Sequence, residues 1–243
     1  YERRFQATKI GFGQKDGSGV YLNAVKIRDV TDDFENHLPK TNAKEGILAT
    51  IDFRIKLSEH YSLNGEVGGS AFTDNLLSEE LEGDWISDLP EFIFNPREST
   101  RTDYAGSANF DIDYTKWGMN FQAKYLGAGF ESLGFAYLET DVLDLIIAPR
   151  FRLFNNHFIL NASVGQRQDN LSNTKTTTTR RFIGNGSITV VVSNSLTVSA
   201  NYSNYGTRNT IDNDTLRLEF VSQNFSVSPS YRFKIGKVAN TLS

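Results

Sequence analysis

Histidine is the side chain best suited to acid–base chemistry near neutral pH. The chain has three, His37, His60 and His157. His60 and His157 fall in short polar segments, and His37 falls in a long one. A hydrolase needs its histidine within hydrogen-bond reach of a nucleophile and of an orienting partner, and nothing in the sequence points to such a setting. We interpret the three as turn and loop residues, and we expect a non-enzymatic protein without a cofactor.

Two acidic clusters are the other candidates for chemistry. The first surrounds His37 and contains Asp29, Asp32, Asp33 and Glu35. The second contains Glu79, Glu80, Glu82, Asp84 and Asp88. The first offers the Asp/His combination of some proteases or a cation site, but calcium needs about six to eight converging oxygens and a suitable spacing. We favour solvated acidic loops in both places and expect no metal site.

Composition excludes several classes of protein. The chain of 243 residues has no cysteine, which excludes disulfides, zinc fingers and thiol catalysis. Its formal net charge of -4 lacks the basic excess that nucleic-acid binding requires, so we expect no nucleic-acid partner. Mean hydropathy is -0.38, and no segment approaches the ~20 apolar residues of a membrane helix. A membrane sheet escapes that requirement because only alternate residues must be apolar.

Alternation with a period of two is the main structural signal. From Ile47 to Leu57 the odd positions are apolar, and the even ones include Asp52, Arg54 and Lys56. The stretch from Leu143 to Leu153 alternates in the same way. A pleated strand separates such sets onto opposite faces, whereas a helix scatters them. The sequence therefore predicts an all-β fold.

The same pattern predicts about twelve strands, most of them near the ~9–11 residues that cross a bilayer at a tilt. Their approximate ranges are 3–13, 19–28, 47–57, 61–72, 102–114, 117–126, 143–154, 157–168, 178–192, 196–204, 215–221 and 225–235. Short and long connections alternate between them. The long loops cover about 29–46, 73–101, 127–142, 169–177 and 205–214. This arrangement predicts one domain over 1–243, an up-and-down antiparallel transmembrane β-barrel with its long loops at one end.

In a membrane barrel the apolar faces meet lipid and the charged faces meet the interior, the lumen. A charge on the lipid face at mid-bilayer costs roughly 2–4 kcal/mol. We therefore predict twelve lumen-facing residues: Asp52, Arg54, Lys56, Asp111, Asp113, Lys124, Arg150, Arg152, Arg167, Arg217, Glu219 and Arg232. Their mixed signs fit either a salt-bridged plug or a water-filled passage.

Aromatic residues near the strand ends predict two interfacial girdles. Those beside short turns are Tyr61, Tyr114, Trp117, Phe154, Phe158 and Phe225; those towards the long loops include Tyr125 and Tyr202. The alternative is that aromatics simply favour strand ends and cores. Between two strands, Asp74 to Pro90 departs from alternation, and Asp74 is a candidate cap for a short helix holding Leu76, Leu77, Glu80 and Leu81. An exposed loop with a helical turn is the alternative there.

The strand polarity suggests an excerpt of a larger barrel, or a barrel with trimmed ends. With short turns on the periplasmic side, the first strand runs inward, so we expect at least one strand upstream. The segment from Ile235 to Ser243 is expected to trail off without a closing strand.

Two stretches, GAGFESLGFAYLETD from Gly127 to Asp141 and GQRQDNL from Gly165 to Leu171, each follow a predicted strand and open a long loop. Through them, mainly in its second half, the chain resembles surface-facing barrel proteins of Bacteroidota-type bacteria. The resemblance implies a bacterial outer-membrane location and an envelope role, and it transfers no functional residue. The porins with repeated short acidic constrictions are the least similar.

Two functions remain open for a membrane barrel: passage of solutes, and service as a scaffold of an envelope or secretion complex. The expected partners are the lipid bilayer, detergent or lipopolysaccharide, and other envelope proteins. The alternative from a different class is a soluble all-β binding or adhesion protein, whose apolar faces would turn inward.

Overall fold

A computed structural model describes residues 2–14, 17–30, 42–81, 90, 92–134, 138–211, 217–235 and 238–242. These residues form β-strands and contain no helix. The strands are β1 (Arg3–Gly13), β2 (Gly19–Asp29), β3 (Glu45–Lys56), β4 (Tyr61–Thr73), β5 (Thr100–Asp113), β6 (Trp117–Leu126), β7 (Val142–Leu153), β8 (Phe158–Asp169), β9 (Thr179–Val191), β10 (Leu196–Asn209), β11 (Glu219–Ile235) and β12 (Val238–Leu242).

One antiparallel sheet contains all twelve strands, and each strand is bonded to the next one along the chain. This confirms the predicted all-β, up-and-down topology. No pairing joins β1 to β12 among the described residues, so the sheet is not closed there. Successive connections of such a sheet alternate between its two ends. Short turns therefore lie at one end, and the long loops lie at the other.

The first ten strands agree with the predicted ranges to within a few residues, apart from a longer end to β10. The two strands predicted over 215–221 and 225–235 are wrong as separate elements. In their place β11 runs unbroken for 17 residues. Ser222, Gln223 and Asn224, which resemble a turn by residue type, pair with Tyr205, Asn204 and Ser203 of β10.

The end of the chain also differs from expectation. Instead of trailing off, Val238–Leu242 forms β12 and pairs with β11, with Val238 opposite Ile235 and Leu242 opposite Tyr231.

The helix predicted after Asp74 is not formed in the described residues 74–81. Leu76 is instead buried at 6% exposure against Ala43, whose carbonyl accepts a hydrogen bond from the Leu76 amide at 2.9 Å. Residues 82–89 lie outside the described part. Nowhere in the described ranges is there a helix of the length and apolarity needed to span a membrane.

The chain divides into two compact units. The first contains Tyr1–Ile55, Asn64–Ser107 and Tyr125–Val142. Phe94, fully buried, packs with Ala71 and Ile47 in one apolar cluster of this unit. A second cluster contains Leu126, Phe130, Val142 and, at its margin, Leu48. Both clusters lie near the long loops.

The second unit contains Lys56–Leu63, Ala108–Lys124 and Leu143–Ser243. It differs in kind, because all nine buried hydrophobic residues of the described chain belong to the first unit. The described strands of the second unit therefore have no dry apolar core. Its large apolar side chains are instead half-buried or exposed, as in Leu145 at 50% and Ile147 at 47%.

The continuity of β11 is testable by insertion. Two glycines placed between Asn194 and Ser195 enlarge an exposed turn, and we expect little effect on thermal stability. The same insertion between Gln223 and Asn224 breaks the ladder to β10 and shifts the register of one part of β11. We expect a lower unfolding temperature by circular dichroism. If both insertions left the unfolding temperature unchanged, this would contradict a continuous β11 and favour the turn that the residue types of Ser222, Gln223 and Asn224 suggest.

Candidate functional site: the polar face of the sheet

The strand register separates two faces in the first unit. Asn23 lies opposite Thr50, with its amide donating to the Thr50 hydroxyl at 3.0 Å, whereas Leu22 lies opposite Ile51. Thr50 is 7% exposed and Ile51 is 45% exposed. We name the side that carries Thr50 and Asp52 the polar face, and the side that carries Leu22 and Ile51 the apolar face. On every other strand, a side chain is assigned to the polar or the apolar face according to the residue that it lies opposite on the neighbouring strand.

The second unit repeats this separation over four strands. On the apolar face Ile188 lies opposite both Leu160 and Ala200, and Ala200 lies opposite Val227. One residue further along each strand, the polar face carries Asn161, Ser187, Asn201 and Ser226 in one row. Neither face of these strands is covered by a described apolar layer.

Towards the long loops the apolar face of the second unit becomes polar. Asn204 lies opposite Gln223, and two rows later Arg208 lies opposite both Arg180 and Glu219. The apolar stretch of this face is therefore bounded by a charged row at its loop end.

Predicted lumen-facing residues of the first unit lie on the polar face. The Asp52 carboxylate is 3.4 Å from the Lys9 ammonium, which also lies 4.9 Å from the ring centroid of Tyr21. Arg54 lies opposite Gly19 and is exposed. Lys56, which ends β3 and belongs to the second unit, is also exposed.

In the second unit the polar face carries ion pairs from the same set. Arg150 binds Asp113. Arg167 donates from Nε and Nη2 to the two carboxylate oxygens of Asp144, at 2.5 and 2.6 Å. This two-bond geometry holds both side chains against the sheet. Asp111 accepts hydrogen bonds from Asn120 at 2.6 Å and from Asn109 at 3.2 Å.

The remaining members of the predicted set are not brought into one cluster. Lys124, Arg152 and Arg232 are exposed. Arg217 lies before β11 and pairs with Glu219 at 2.9 Å. Glu219 stands on the face of Val221 and Phe225, not on that of Ser226, because β11 continues through the expected turn.

At the loop end of the first unit lies a charged network whose pairing the sequence did not predict, and the expectation of a solvated acidic loop is wrong for Asp29, which is buried. Asp29, only 2% exposed, accepts a hydrogen bond from Arg3 Nε at 2.7 Å and another from the Lys44 amide at 3.1 Å. Lys44 Nζ in turn lies 2.8 Å from Asp74. Neighbouring strands and loops bring these residues together, so no short sequence spacing reveals them.

Asp74 is the centre of this network. Its carboxylate binds Lys44 and Arg101, and Arg101 also lies 3.3 Å from Glu131. Burial alone would raise the pKa of Asp74, but the hydrogen bonds and charges of Lys44 and Arg101 outweigh it and hold the pKa below its ordinary value. The ionised carboxylate therefore fastens the segment after β4 to Lys44, just before β3, and to Arg101 of β5.

The loop between β6 and β7 covers part of the polar face in the first unit. The Gly129 amide donates to Asp103 at 2.7 Å, and the Leu133 carbonyl accepts from Arg3 at 3.5 Å. Phe130 belongs to the cluster that Leu48 of the polar face joins. This loop restricts access to the polar face of the first unit from the loop end.

Predicted girdle aromatics form a continuous group beside two short turns. The hydroxyls of Tyr61 and Tyr114 are 2.9 Å apart, and the Tyr114 ring stacks on Trp117 at 5.0 Å and on His60 at 4.2 Å. Phe154 is 77% exposed at its turn, and Phe158 begins β8.

The other girdle residues lie further along the strands. Tyr125 stacks on Tyr104 at 5.1 Å. Phe225 does not flank a turn: it lies within β11, directly opposite Tyr202.

The two described histidines are bound to main-chain carbonyl groups. The Nδ1 atoms of His60 and His157 are 2.8 Å from the Asp113 carbonyl oxygen and 2.7 Å from the Phe154 carbonyl oxygen. His37 and its neighbours at 31–41 lie outside the described residues. In the part of the chain that is described, no three histidine, aspartate or glutamate side chains converge as metal ligands.

Comparison with protein-family models gave no match, and comparison with curated proteins gave no significant match. A function must therefore be inferred from the two faces of the sheet and from their side chains.

The Asp74 network predicts an acid-sensitive loop end. A carboxylate with a lowered pKa stabilises the fold above the ordinary value of 3.8 and loses that contribution as pH falls through its lower, folded-state value. We expect hydrogen exchange in residues 74–81 to rise in that acidic range. Asp74→Asn should show the faster exchange already at neutral pH.

Asp52→Asn is the matched control, because Asp52 pairs with Lys9 and not with the loop. It should leave exchange in residues 74–81 unchanged. Equal protection in wild type and Asp74→Asn at neutral pH would contradict the anchoring role of Asp74.

Proposed function

We propose that the chain forms the membrane-spanning wall of a bacterial outer-membrane β-barrel that lets polar solutes pass. The observation that carries the proposal is the exposure of large apolar side chains on one face of a sheet whose second unit has no described apolar core. Examples from four strands are Ile51 at 45%, Ile147 at 47%, Val164 at 49% and Val227 at 52%. Large exposed apolar patches are rare on soluble monomers.

The length of the apolar stretch supports a bilayer as its surroundings. From Leu196 to Gly206 the chain of β10 rises about 33 Å at ~3.3 Å per residue, and on the apolar face this span contains one uncharged polar row, Asn204 opposite Gln223. At the tilt of about 40° that barrel strands adopt, this spans about 25 Å, the height of the apolar band of such barrels. The charged row of Arg180, Arg208 and Glu219 comes directly after it.

The cost of an open sheet edge in a membrane supports closure into a barrel. Hydrocarbon offers no partner for the backbone groups of an open sheet edge, so a spanning sheet must pair both edges. We propose that β1 and β12 meet each other or further strands of the same barrel.

The polar face supports passage more than adhesion. Its charges are of both signs and several are paired, as in Arg167 with Asp144 and Lys9 with Asp52. A sheet face whose charges are paired remains hydrated, and it has no strong electrostatic field of one sign. Water and polar solutes would then pass along this face.

Two adjacent isoleucines of β7 give a matched test of orientation. Ile147 lies on the apolar face and Ile146 on the opposite one, next to each other in the chain. With a spin label at Ile147→Cys in liposomes, we expect collisions with dissolved oxygen, which concentrates in lipid. The label at Ile146→Cys should collide instead with a water-soluble nickel complex. The reverse pattern, or water contact at both sites, would favour the soluble binding or adhesion protein.

Conductance separates passage from a scaffold role. The full chain in a planar bilayer should give discrete current steps, because a hydrated polar face conducts ions. A folded, membrane-inserted protein that gives no current would overturn passage and favour the scaffold of an envelope complex.

A further inference from the structure

The polar face of β8–β11 contains a row without any charge. The row consists of Asn161, Ser187, Asn201 and Ser226, each directly opposite the next across the ladder. Asparagine and serine therefore alternate from strand to strand along this row.

The next row towards the long loops repeats the pattern with the two types exchanged. It consists of Ser163, Asn185, Ser203 and Asn224. Together the two rows form a checkerboard, in which every asparagine has serine opposite it. Because directly opposite side chains are only about 5 Å apart at Cβ, the shorter serines leave each carboxamide room to point away from the sheet.

The carboxamides of this checkerboard are available to a ligand. All four asparagines are exposed, and none forms a side-chain hydrogen bond with another described residue. A depression of about 650 Å³ lies over the two rows and is lined by uncharged residues only. Each carboxamide offers two donors and one acceptor oxygen, and each serine offers one hydroxyl.

An aromatic ledge borders the checkerboard on its loop side. Tyr205 lies on the same face one row further, opposite Ile183 and Ser222, and is 37% exposed. The ring centroid of Phe220 is 6.3 Å from that of Tyr205. A second depression of about 310 Å³ is lined by Tyr205, Ile183 and Asn185, and it also reaches Arg167 and Asp144.

We propose that the checkerboard and Tyr205 form a binding site for neutral polyhydroxylated solutes of the oligosaccharide class, an inference that rests on the proposed passage. Sugar hydroxyls are donors and acceptors at once, which matches amides and hydroxyls better than charged groups. The apolar ring face of a sugar packs on an aromatic side chain such as Tyr205. The two rows contain no cation. The neighbouring depression is lined by Arg167 and Arg181, and Arg167 is held by both carboxylate oxygens of Asp144, so we expect anionic solutes to gain less here than neutral ones.

The test is calorimetric binding to the full chain in detergent. The probes are three neutral hexasaccharides, an α-1,4-glucan, a β-1,4-xylan and an α-1,6-mannan, with a hexagalacturonate as the charged comparator. We expect at least one neutral probe to bind more tightly than the comparator. Binding of none of the three, or equal binding of the comparator, would overturn the proposal.

Variants locate the site. Asn161→Ala with Asn201→Ala removes two carboxamides from one row, and we expect affinity to fall by about tenfold or more, the effect of losing one to two net hydrogen bonds. Tyr205→Ala should weaken binding similarly, and Tyr205→Phe should retain it. Asn194→Ala, the same change in the exposed Ser193-Asn194-Ser195 turn, is the control and should bind like wild type.

Circular dichroism must show that every variant keeps its sheet. Full binding by the Asn161→Ala, Asn201→Ala variant would overturn the site assignment. Calorimetry needs no channel, so its outcome is separate from that of the proposed function. Current steps without sugar binding would support the proposed passage and overturn the sugar site. Sugar binding without current would support the sugar site and overturn the proposed passage.

Discussion

The hydrogen-bond register between neighbouring antiparallel strands is the constraint on which both faces depend. Side chains alternate with a period of two, so a slip of one residue moves a whole strand's set to the opposite face. In β10 such a slip would exchange Asn201 with Tyr202 and break the row that Asn201 forms with Ser187 and Ser226. The polar face, the exposed apolar face and the checkerboard therefore all depend on the strand register.

Alternation predicted the strands well where it is strong, and poorly where side-chain type suggested a turn. The stretch Ser222-Gln223-Asn224 has turn-forming residues, yet it continues β11 because Ser203 to Tyr205 of β10 pair with it. Strand preference depends on such cross-strand partners more than on intrinsic propensity. The expected helix after Asp74 failed for a similar reason, since burial of Leu76 against Ala43 favours an irregular segment.

For the candidate site, alternation groups the charged residues of each strand on one side, but it does not predict which residues they bind. Arg3 with Asp29 and Lys44 with Asp74 join residues far apart in the chain, and only the fold brings them within bonding distance. The checkerboard could not be predicted from the sequence for another reason. Asparagine and serine are unremarkable in any single strand, and the pattern exists only once four strands are placed in register.

The apolar face itself carries an ion pair near the loops, which limits where hydrocarbon can reach. Lys26 Nζ lies 3.0 Å from the Glu45 carboxylate, which is 1% exposed, and donates to the Ile93 carbonyl at 2.6 Å. Desolvating such a pair is costly, and hydrocarbon offers it nothing in return. The segment of Phe92 and Ile93, whose carbonyls accept hydrogen bonds from Lys26, lies over the pair instead. If this face meets lipid, the boundary must therefore lie on the turn side of Ile47.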